Sequence, residues 1–396
     1  MTKLRYAAFG LALASTGLMA ADAQTKGTIK IASQTPLSGP QSVLGEAIKN
    51  GVQMAIDDPL LGGRIRNLGF NLVFQPEDDQ ATPNVGVSNA NRLINDASIL
   101  AVVGHLNSGV AIPSSEVYAK VGLTMVSPAN TNPAVTDRET TKAVTNRVCG
   151  RDDVQGPAGA DFVVNTLKAT KLYVLNDKTA YGQGLADAFA KRAKDLKANI
   201  VFETGVASNE TDFSSIINRA LVDKPDAIYF GAIYSQAGPF VKQLREKGLK
   251  TAVVGGDGFD SSDLQKLAGA ANLTNVYFTT TSAPISALPA AKAFATKYQT
   301  TFKKAPEGYS AYGYDAARVV IEAITAAIKA NKNQMPTRQA VAAEVRKVKF
   351  QGLTGAIAFN ARGDLTTAKY FVIEPHPSDY TKNKVRNSVS VKAPND

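Results

Sequence analysis

The stretch ILAVVGHLNSGVAIPSSEVYAKVGLTMVSPANT, residues 99–131, decides the fold. Ile99 to Val103 is a short, wholly apolar run, the pattern of a parallel strand buried on both faces. Gly104 ends it. Asn107-Ser108-Gly109 then opens a helix, and Pro113 is tolerated only in the first turns of that helix. Leu123 to Val126 is a second apolar strand, stopped by Ser127-Pro128-Ala129-Asn130-Thr131. The unit reads strand, helix, strand, with a polar loop at the carboxyl end of each strand. In open α/β sheets that edge is where ligands bind.

The same rhythm extends in both directions. Upstream, Thr28 to Ser33 is a strand, Gly45 to Ile56 a helix with Ile48, Val52 and Ile56 on one face, Phe70 to Phe74 a strand, and Pro83 to Ile94 a helix with proline at its start. Downstream of Cys149 the pattern repeats. Helices are expected over Gly156 to Leu167, Leu185 to Leu196, Phe213 to Val222 and Gln236 to Lys247. Strands are expected over Lys171 to Leu175, Ile200 to Glu203, Ala227 to Phe230, Thr251 to Val254 and Val276 to Thr280. Alternation of this kind predicts an α/β fold with two doubly wound parallel sheets.

Helices Ala290 to Thr301, Tyr309 to Lys329 and Ala340 to Lys347 follow, with late strands Gly355 to Phe359 and Lys369 to Ile373. They arrive after the second sheet is complete, without strands enough for a third domain. The economical arrangement packs them back on the first sheet. The chain then crosses between lobes near Cys149, Thr280 and Phe359, which makes a three-crossover hinge and a ligand-closing cleft. The expected division is 24–150 plus 281–358 for lobe 1 and 151–280 plus 359–396 for lobe 2.

Residues 1–23 read as a leader: Lys3 and Arg5 are basic, Ala7 to Ala20 is apolar, and Ala21-Asp22-Ala23 is a small-x-small cleavage site. The formal charge is +10; losing Lys3, Arg5 and Asp22 removes two positive charges and one negative, leaving +9. The basic residues are scattered rather than gathered with aromatics, so no nucleic-acid partner is expected. The single cysteine, Cys149, excludes an intrachain disulfide.

Enzyme signatures fail. No GxSxG, Walker A run or metal-spaced cluster is present, and only His105 and His376 are available as histidines. No catalytic residue, cofactor or metal is expected, and His105, following a buried strand, reads as a hydrogen-bonded structural histidine. Tyr181-Gly182-Gln183-Gly184 resembles part of a phosphate loop but lacks GxGxxG spacing. What recurs instead is polar residues at strand carboxyl ends. Ser108 offers a hydroxyl beside helix-start amides, which favour an anion. Thr131 offers a hydroxyl and Ala129 a carbonyl, Asp257 suits an ammonium group, and Tyr181 gives a flat ring with a hydroxyl. Read singly, Ser108 is also a helix cap and Asp257-Gly258 also a turn.

The stretches VGHLNSG (103–109), MVSPANTNP (125–133), DKTAYGQGLA (177–186), QAGPFVKQLREKGL (236–249) and the acid in GGDGF (255–259) resemble the periplasmic leucine/isoleucine/valine-binding proteins of ABC importers. The resemblance spans essentially the whole chain after the leader and implies the type I periplasmic binding fold. It implies that Ser108 and Thr131 hold a ligand carboxylate, that the Ala129 carbonyl and Asp257 hold the α-ammonium, and that Tyr181 closes from the second lobe. Asp257 stands where the family commonly has glutamate. Ile233 aligns with another family tyrosine, leaving Tyr234 as a candidate beside it. Leu44 stands where some relatives place an aromatic next to the ligand side chain. Positions of a disulfide found in some members are Ala81 and Asn107 here.

The implied role is capture of an amino acid, aliphatic as the expected class, in the periplasm by a monomer, and its delivery to ABC permease subunits in the inner membrane. The alternatives are the same fold binding another small carboxylate, an amide, an aromatic acid or a polyamine, or serving as a ligand sensor.

Overall fold

The structure is a computed structural model and describes residues 25–281, 283–285, 288 and 291–392. The leader, its cleavage site and the expected helix start at Ala290 lie outside the described residues. The first part of the chain supplies β1 (Thr28–Thr35), α1 (Ser42–Asp57), α2 (Gly62–Asn67), β2 (Asn71–Asp78), α3 (Pro83–Asn95), β3 (Ile99–Gly104), α4 (Ser108–Ala119), β4 (Thr124–Ser127) and β5 (Thr145–Arg147). The second supplies α5 (Asp152–Asp161), β6 (Lys171–Asn176), α6 (Ala180–Asp195), β7 (Asn199–Gly205), α7 (Ser214–Asp223), β8 (Ala227–Gly231), α8 (Tyr234–Glu246), β9 (Ala252–Gly255), α9 (Ser262–Ala268) and β10 (Val276–Thr280). After it come α10 (Lys292–Phe302), α11 (Gly308–Ala330), α12 (Arg338–Val345), β11 (Phe350–Gln351), β12 (Ala356–Ile357), β13 (Thr367–Glu374) and β14 (Lys384–Lys392).

Among the described residues the strands form a five-stranded sheet in the order β2-β1-β3-β4-β5 and a seven-stranded sheet in the order β14-β13-β10-β9-β8-β6-β7. The first sheet is parallel throughout. Ile99, Leu100, Ala101, Val102 and Val103 of β3 are all buried, as a central strand covered on both faces requires. The second sheet is parallel from β7 to β10, and its last two strands are antiparallel.

Helix α11 returns to the first sheet, as the missing third domain requires. It lies against α1 closely enough that a Cβ on Gly51 would stand 2.1 Å from the Ser310 carbonyl oxygen, and one on Gly313 would stand 2.5 Å from that of Ile48. Val319, Val320, Ile324 and Ile328 are buried beneath it. Each such side chain contributes roughly 1.5–3 kcal/mol through burial. The chain passes between the sheets after β5, after β10 and before β13.

Several local expectations need correction. The helix expected from Leu185 starts at Ala180, capped by the Thr179 hydroxyl, so Tyr181 to Gly184 is helical rather than loop. The helix expected over Gly156 to Leu167 starts at Asp152, where two aspartates suit the positive helix end, and it widens into a π turn over Phe162–Thr166. The late strand expected over Gly355 to Phe359 shrinks to β12, which pairs only with β11. Just before it, the amides of Leu353 and Thr354 donate to Asp315 of α11 instead of joining a ladder. Strands β5 and β14 were not expected. The first is only three residues long, and the second carries an alternation of Val385, Val389 and Val391 interrupted by polar residues.

Candidate functional site

Loop geometry at the carboxyl ends of β3 and β4 is set by one buried side chain. Asn130 Nδ2 donates to the Leu106 carbonyl at 2.9 Å, and its Oδ1 accepts from the His105 amide at 3.0 Å and from the Ser127 hydroxyl at 2.7 Å. The two polar loops are thereby one rigid piece. His105 backs them from below. Its Nδ1 lies 3.0 Å from Asp79 Oδ2 and its Nε2 lies 3.3 Å from the Tyr118 hydroxyl, with all three side chains fully buried. Asn130→Ala leaves a buried amide and a buried carbonyl without partners. It is expected to lower the unfolding free energy by about 2–4 kcal/mol. Denaturant titration checks this; an unchanged midpoint would show that the brace carries no load.

Ser108 is the first residue of α4, and the cap position belongs to Asn107. The Asn107 side chain makes no capping bond and turns to Gln41 Oε1 at 2.8 Å instead. The first-turn amides of α4 therefore have no side-chain cap and suit an anion. Across the gap, Asn132 reaches Ser108 Oγ through its amide at 3.4 Å and the Ala180 carbonyl of α6 through Nδ2 at 2.6 Å. The Thr131 carbonyl accepts from the Asp152 amide at 2.9 Å.

Asp257 follows β9 and starts a short 3-10 turn, but its side chain serves other elements. Oδ1 accepts from Gln155 Nε2 at 2.5 Å and from the Tyr181 hydroxyl at 2.9 Å, and Oδ2 accepts from the Tyr309 hydroxyl. The Tyr181 hydroxyl also accepts from the Gly258 amide at 2.8 Å. A Cβ at Gly256 would stand 2.6 Å from the Tyr181 hydroxyl and 2.9 Å from Gln155 Nε2, so glycine there lets both donors reach the acid. A carboxylate has roughly four lone-pair positions. Three side-chain donors occupy it, two on Oδ1 and one on Oδ2, and the residue's own amide adds to them, so Oδ2 is the oxygen less used by side chains.

Burial pushes the Asp257 carboxyl up, against the opposing pull of Tyr309, Gln155 and Tyr181. Asp152 is fully buried, and burial together with repulsion from Asp257 pushes its carboxyl well above the ordinary range. Among the described residues, Asp152 has the nearby Thr131 hydroxyl but no well-formed hydrogen bond to either oxygen, and Oε1 of Gln155 has none. Acceptors so placed suit a cation with several N–H donors.

Ser108, Ala129, Thr131, Tyr181 and Asp257 are each nine-tenths or more buried; Ser108 and Tyr181 line one cavity, and Tyr181 bonds Asp257. Tyr234 opens α8, and its hydroxyl donates to the Pro40 carbonyl at 2.7 Å, so it ties the second sheet to the loop after β1. Ile233 caps that helix. Leu44 stands near the start of α1, just after the loop that carries Pro40. The apolar face of α1 turns it inward, where it is fully buried in the same core as Leu106 and Ile233. Outside the head-group chamber a cavity of about 590 Å³ opens, with Ser38, Gln41, Asn107 and Ser108 on one side and Lys178, Tyr181 and Gln236 on the other. Ala81 and Asn107 both lie on its wall.

The family described as periplasmic binding protein matches residues 28–377. The chain belongs to that family. It is 33% identical over 364 residues to an amino acid binding protein of Pseudomonas aeruginosa, covering 92% of this chain and 94% of that one. It is 33% identical over 346 residues to the Leu/Ile/Val-binding protein homolog 2 of Brucella abortus, covering 87% and 90%. Among solved structures it is similar to the leucine binding protein LivK of Thermotoga maritima, with a TM-score of 0.81, 27% identity, and coverage of 91% and 98%. The branched-chain amino acid transporter substrate binding protein LivJ of Streptococcus pneumoniae, in complex with isoleucine, gives a TM-score of 0.81 at 25% identity, with coverage of 92% and 99%. Two parallel-sheet lobes joined by three crossings are the fold of this periplasmic binding protein.

Sequence reasoning missed Asp152, Gln155, Asn130 and Tyr309. Asp152 and Gln155 stand three apart at a helix start, which places both on one face, and that spacing was a usable signal. Tyr309 had none, because its partner Asp257 is 52 residues away on the other sheet. Gly182, part of the apparent phosphate loop, has a packing role: a Cβ there would stand 2.3 Å from the Gly231 carbonyl oxygen.

Among the described residues no group of three or more His, Cys, Asp or Glu is arranged to hold a metal, and no helix is long and apolar enough to cross a membrane.

Proposed function

We propose that this protein captures an amino acid, aliphatic in class, between its two lobes and hands it to the permease of an ABC importer. The observation that carries this reading is the buried Asp257, held by Gln155, Tyr181 and Tyr309 beside the uncapped start of α4. A zwitterion meets both needs at once. Its carboxylate takes the α4 amides, the Ser108 hydroxyl and Thr131. Its ammonium takes Asp257 and the Ala129 carbonyl. A simple carboxylic acid leaves the acid without a counter-charge, which is costly in a dry site. The names of the relatives support the amino-acid class and, for those named Leu/Ile/Val-binding, an aliphatic side chain.

In this reading lobe 1 comprises residues 24–150 and 281–358, and lobe 2 comprises 151–280 and 359–396. The leader is removed near Ala23, and the protein works in the periplasm as a monomer, with no catalysis and no cofactor. Ligand bridging both lobes supplies the differential affinity that closure needs. A thermal-shift screen over amino acids and small carboxylates tests it, since only ligands of the native state raise the midpoint. Leucine, isoleucine or valine is expected to raise it by several degrees. A screen in which no amino acid shifts it, or in which only non-amino carboxylates do, overturns the proposal.

A further inference from the structure

We infer that Asp152 is a second carboxylate of the head-group chamber, and that it shares one proton with Asp257 until an arriving ammonium displaces that proton. This deepens the amino-acid reading above and rests on it. Asp152 opens α5 and is fully buried, and the Thr131 hydroxyl is the one polar side chain that acts on its carboxylate as a donor, too loosely placed for a full hydrogen bond. An ionised carboxylate so placed is uncompensated, because the opposite charge nearest to it is already committed. That charge is Arg147, whose Nε holds Asp364 at 2.6 Å and whose remaining nitrogens hold the carbonyls of Asn130 and Asn132 and the Thr136 hydroxyl.

Arg151, next to Asp152 in the chain, is likewise committed, to Asp137, Asp153 and Asp364, and the groups that act on the two acids from other elements among the described residues are acids or neutral. From α5 come Asp153 and Gln155, from the crossing Cys149, from α6 Tyr181, from β8 Tyr229, from α11 Tyr309, from the turn after β9 Asp260, and from the β4 loop Thr131. Burial pushes the phenols of Tyr181, Tyr229 and Tyr309 and the thiol of Cys149 up, so all four stay neutral near pH 7. Two buried acids without a cation hold a proton between them. The Thr131 hydroxyl faces Asp152, and Gln155, one turn along α5, bonds Asp257 through Nε2 and leaves its buried Oε1 without a protein partner.

A primary ammonium brings one positive charge and three N–H donors. Asp257 Oδ2, an oxygen of Asp152 and the Thr131 hydroxyl are acceptors for them. With the ammonium bound, both acids ionise and the displaced proton leaves to solvent. The binding step is ligand-NH3+ plus a singly protonated acid pair, giving the bound ligand on two carboxylates and one free H+. The sign follows: affinity rises with pH, by up to about tenfold per unit, while the pair still holds its proton.

Calorimetric titration of the full chain with L-leucine tests this in two buffers of different ionisation enthalpy at one pH. Release of about one proton per leucine is expected in the native protein, and none in Asp152→Asn. Binding without proton release, or equal release by the variant, overturns the inference. Infrared spectroscopy of the native protein provides a measurement free of any variant. A protonated buried carboxyl band is expected without leucine and is lost at saturation. If leucine does not bind, the amino-acid reading is in question, and the band in the ligand-free protein still decides whether the proton is shared. Its absence overturns the sharing.

Discussion

Asp257→Ala is expected to weaken capture of leucine by roughly two to four orders of magnitude, about 3–5 kcal/mol, the cost of removing the buried carboxylate that takes the ammonium together with the three donors that position it. The side chain is 3% exposed, so water cannot replace it. The fold should survive. Substitution strands the donors of Gln155, Tyr181 and Tyr309 but also removes a buried acid repelled by Asp152. These two effects oppose each other, so the ligand-free melting midpoint should move by only a few degrees. Asp257→Asn separates charge from shape, since it fills the same space without the negative charge, and its affinity should fall nearly as far. Calorimetry with leucine on native protein and both variants reads the result. An unchanged Kd in Asp257→Ala removes this residue from the ammonium site.

Arg147→Met is expected to destabilise the protein by about 3–5 kcal/mol, because it leaves Asp364 buried with an incomplete set of partners. Arg147 is fully buried on β5, the last strand before the first crossing, and Asp364 sits on the segment of the third. Arg151 adds a second bond to Asp364 at 2.9 Å and reaches Asp137 and Asp153. The network therefore clamps two of the three hinge strands and the carbonyls of the loop that carries Thr131. A fall of roughly 4–6 °C in the melting midpoint is expected for a chain of this size. Adding Asp364→Asn to Arg147→Met should recover part of the loss, since the orphaned charge is then gone. A single-variant midpoint equal to the native one would show that the clamp contributes nothing.

The same network sets an acid limit. Burial acts to raise the Asp364 carboxyl, but Arg147 and Arg151 outweigh it and hold the carboxyl below its ordinary value. A group depressed in the folded state contributes stability above its unfolded pKa and loses it as pH falls through the folded one. Asp364→Asn should therefore flatten the decline of stability on acidification below the ordinary carboxylate range.

Local chemistry was enough to read the layered architecture and to name half of the proposed site. Apolar runs such as Ile99 to Val103 can be satisfied only inside a covered parallel sheet, and Gly104, Pro83 and Pro113 mark where elements start or stop. Ser108, Thr131 and Asp257 were legible because each follows a strand of that kind, and strand ends share one edge whatever the loops do. Even the return of α11 followed from counting strands.

Tertiary structure alone decided the rest, because the deciding contacts join residues with no local relation. Tyr309 meets Asp257 across two sheets, and Tyr234 is turned from a wall of the pocket into a tie on the Pro40 carbonyl. Leu44 is drawn into the core by the face of α1 on which it stands. Asp152 looks like an ordinary acidic helix start in the sequence. Its full burial beside a second acid, with Arg147 already spent on Asp364, depends on how three crossings stack at the hinge. Sequence specifies which groups each strand end presents; only packing determines which of them meet, and which are left with a charge that the ligand must answer.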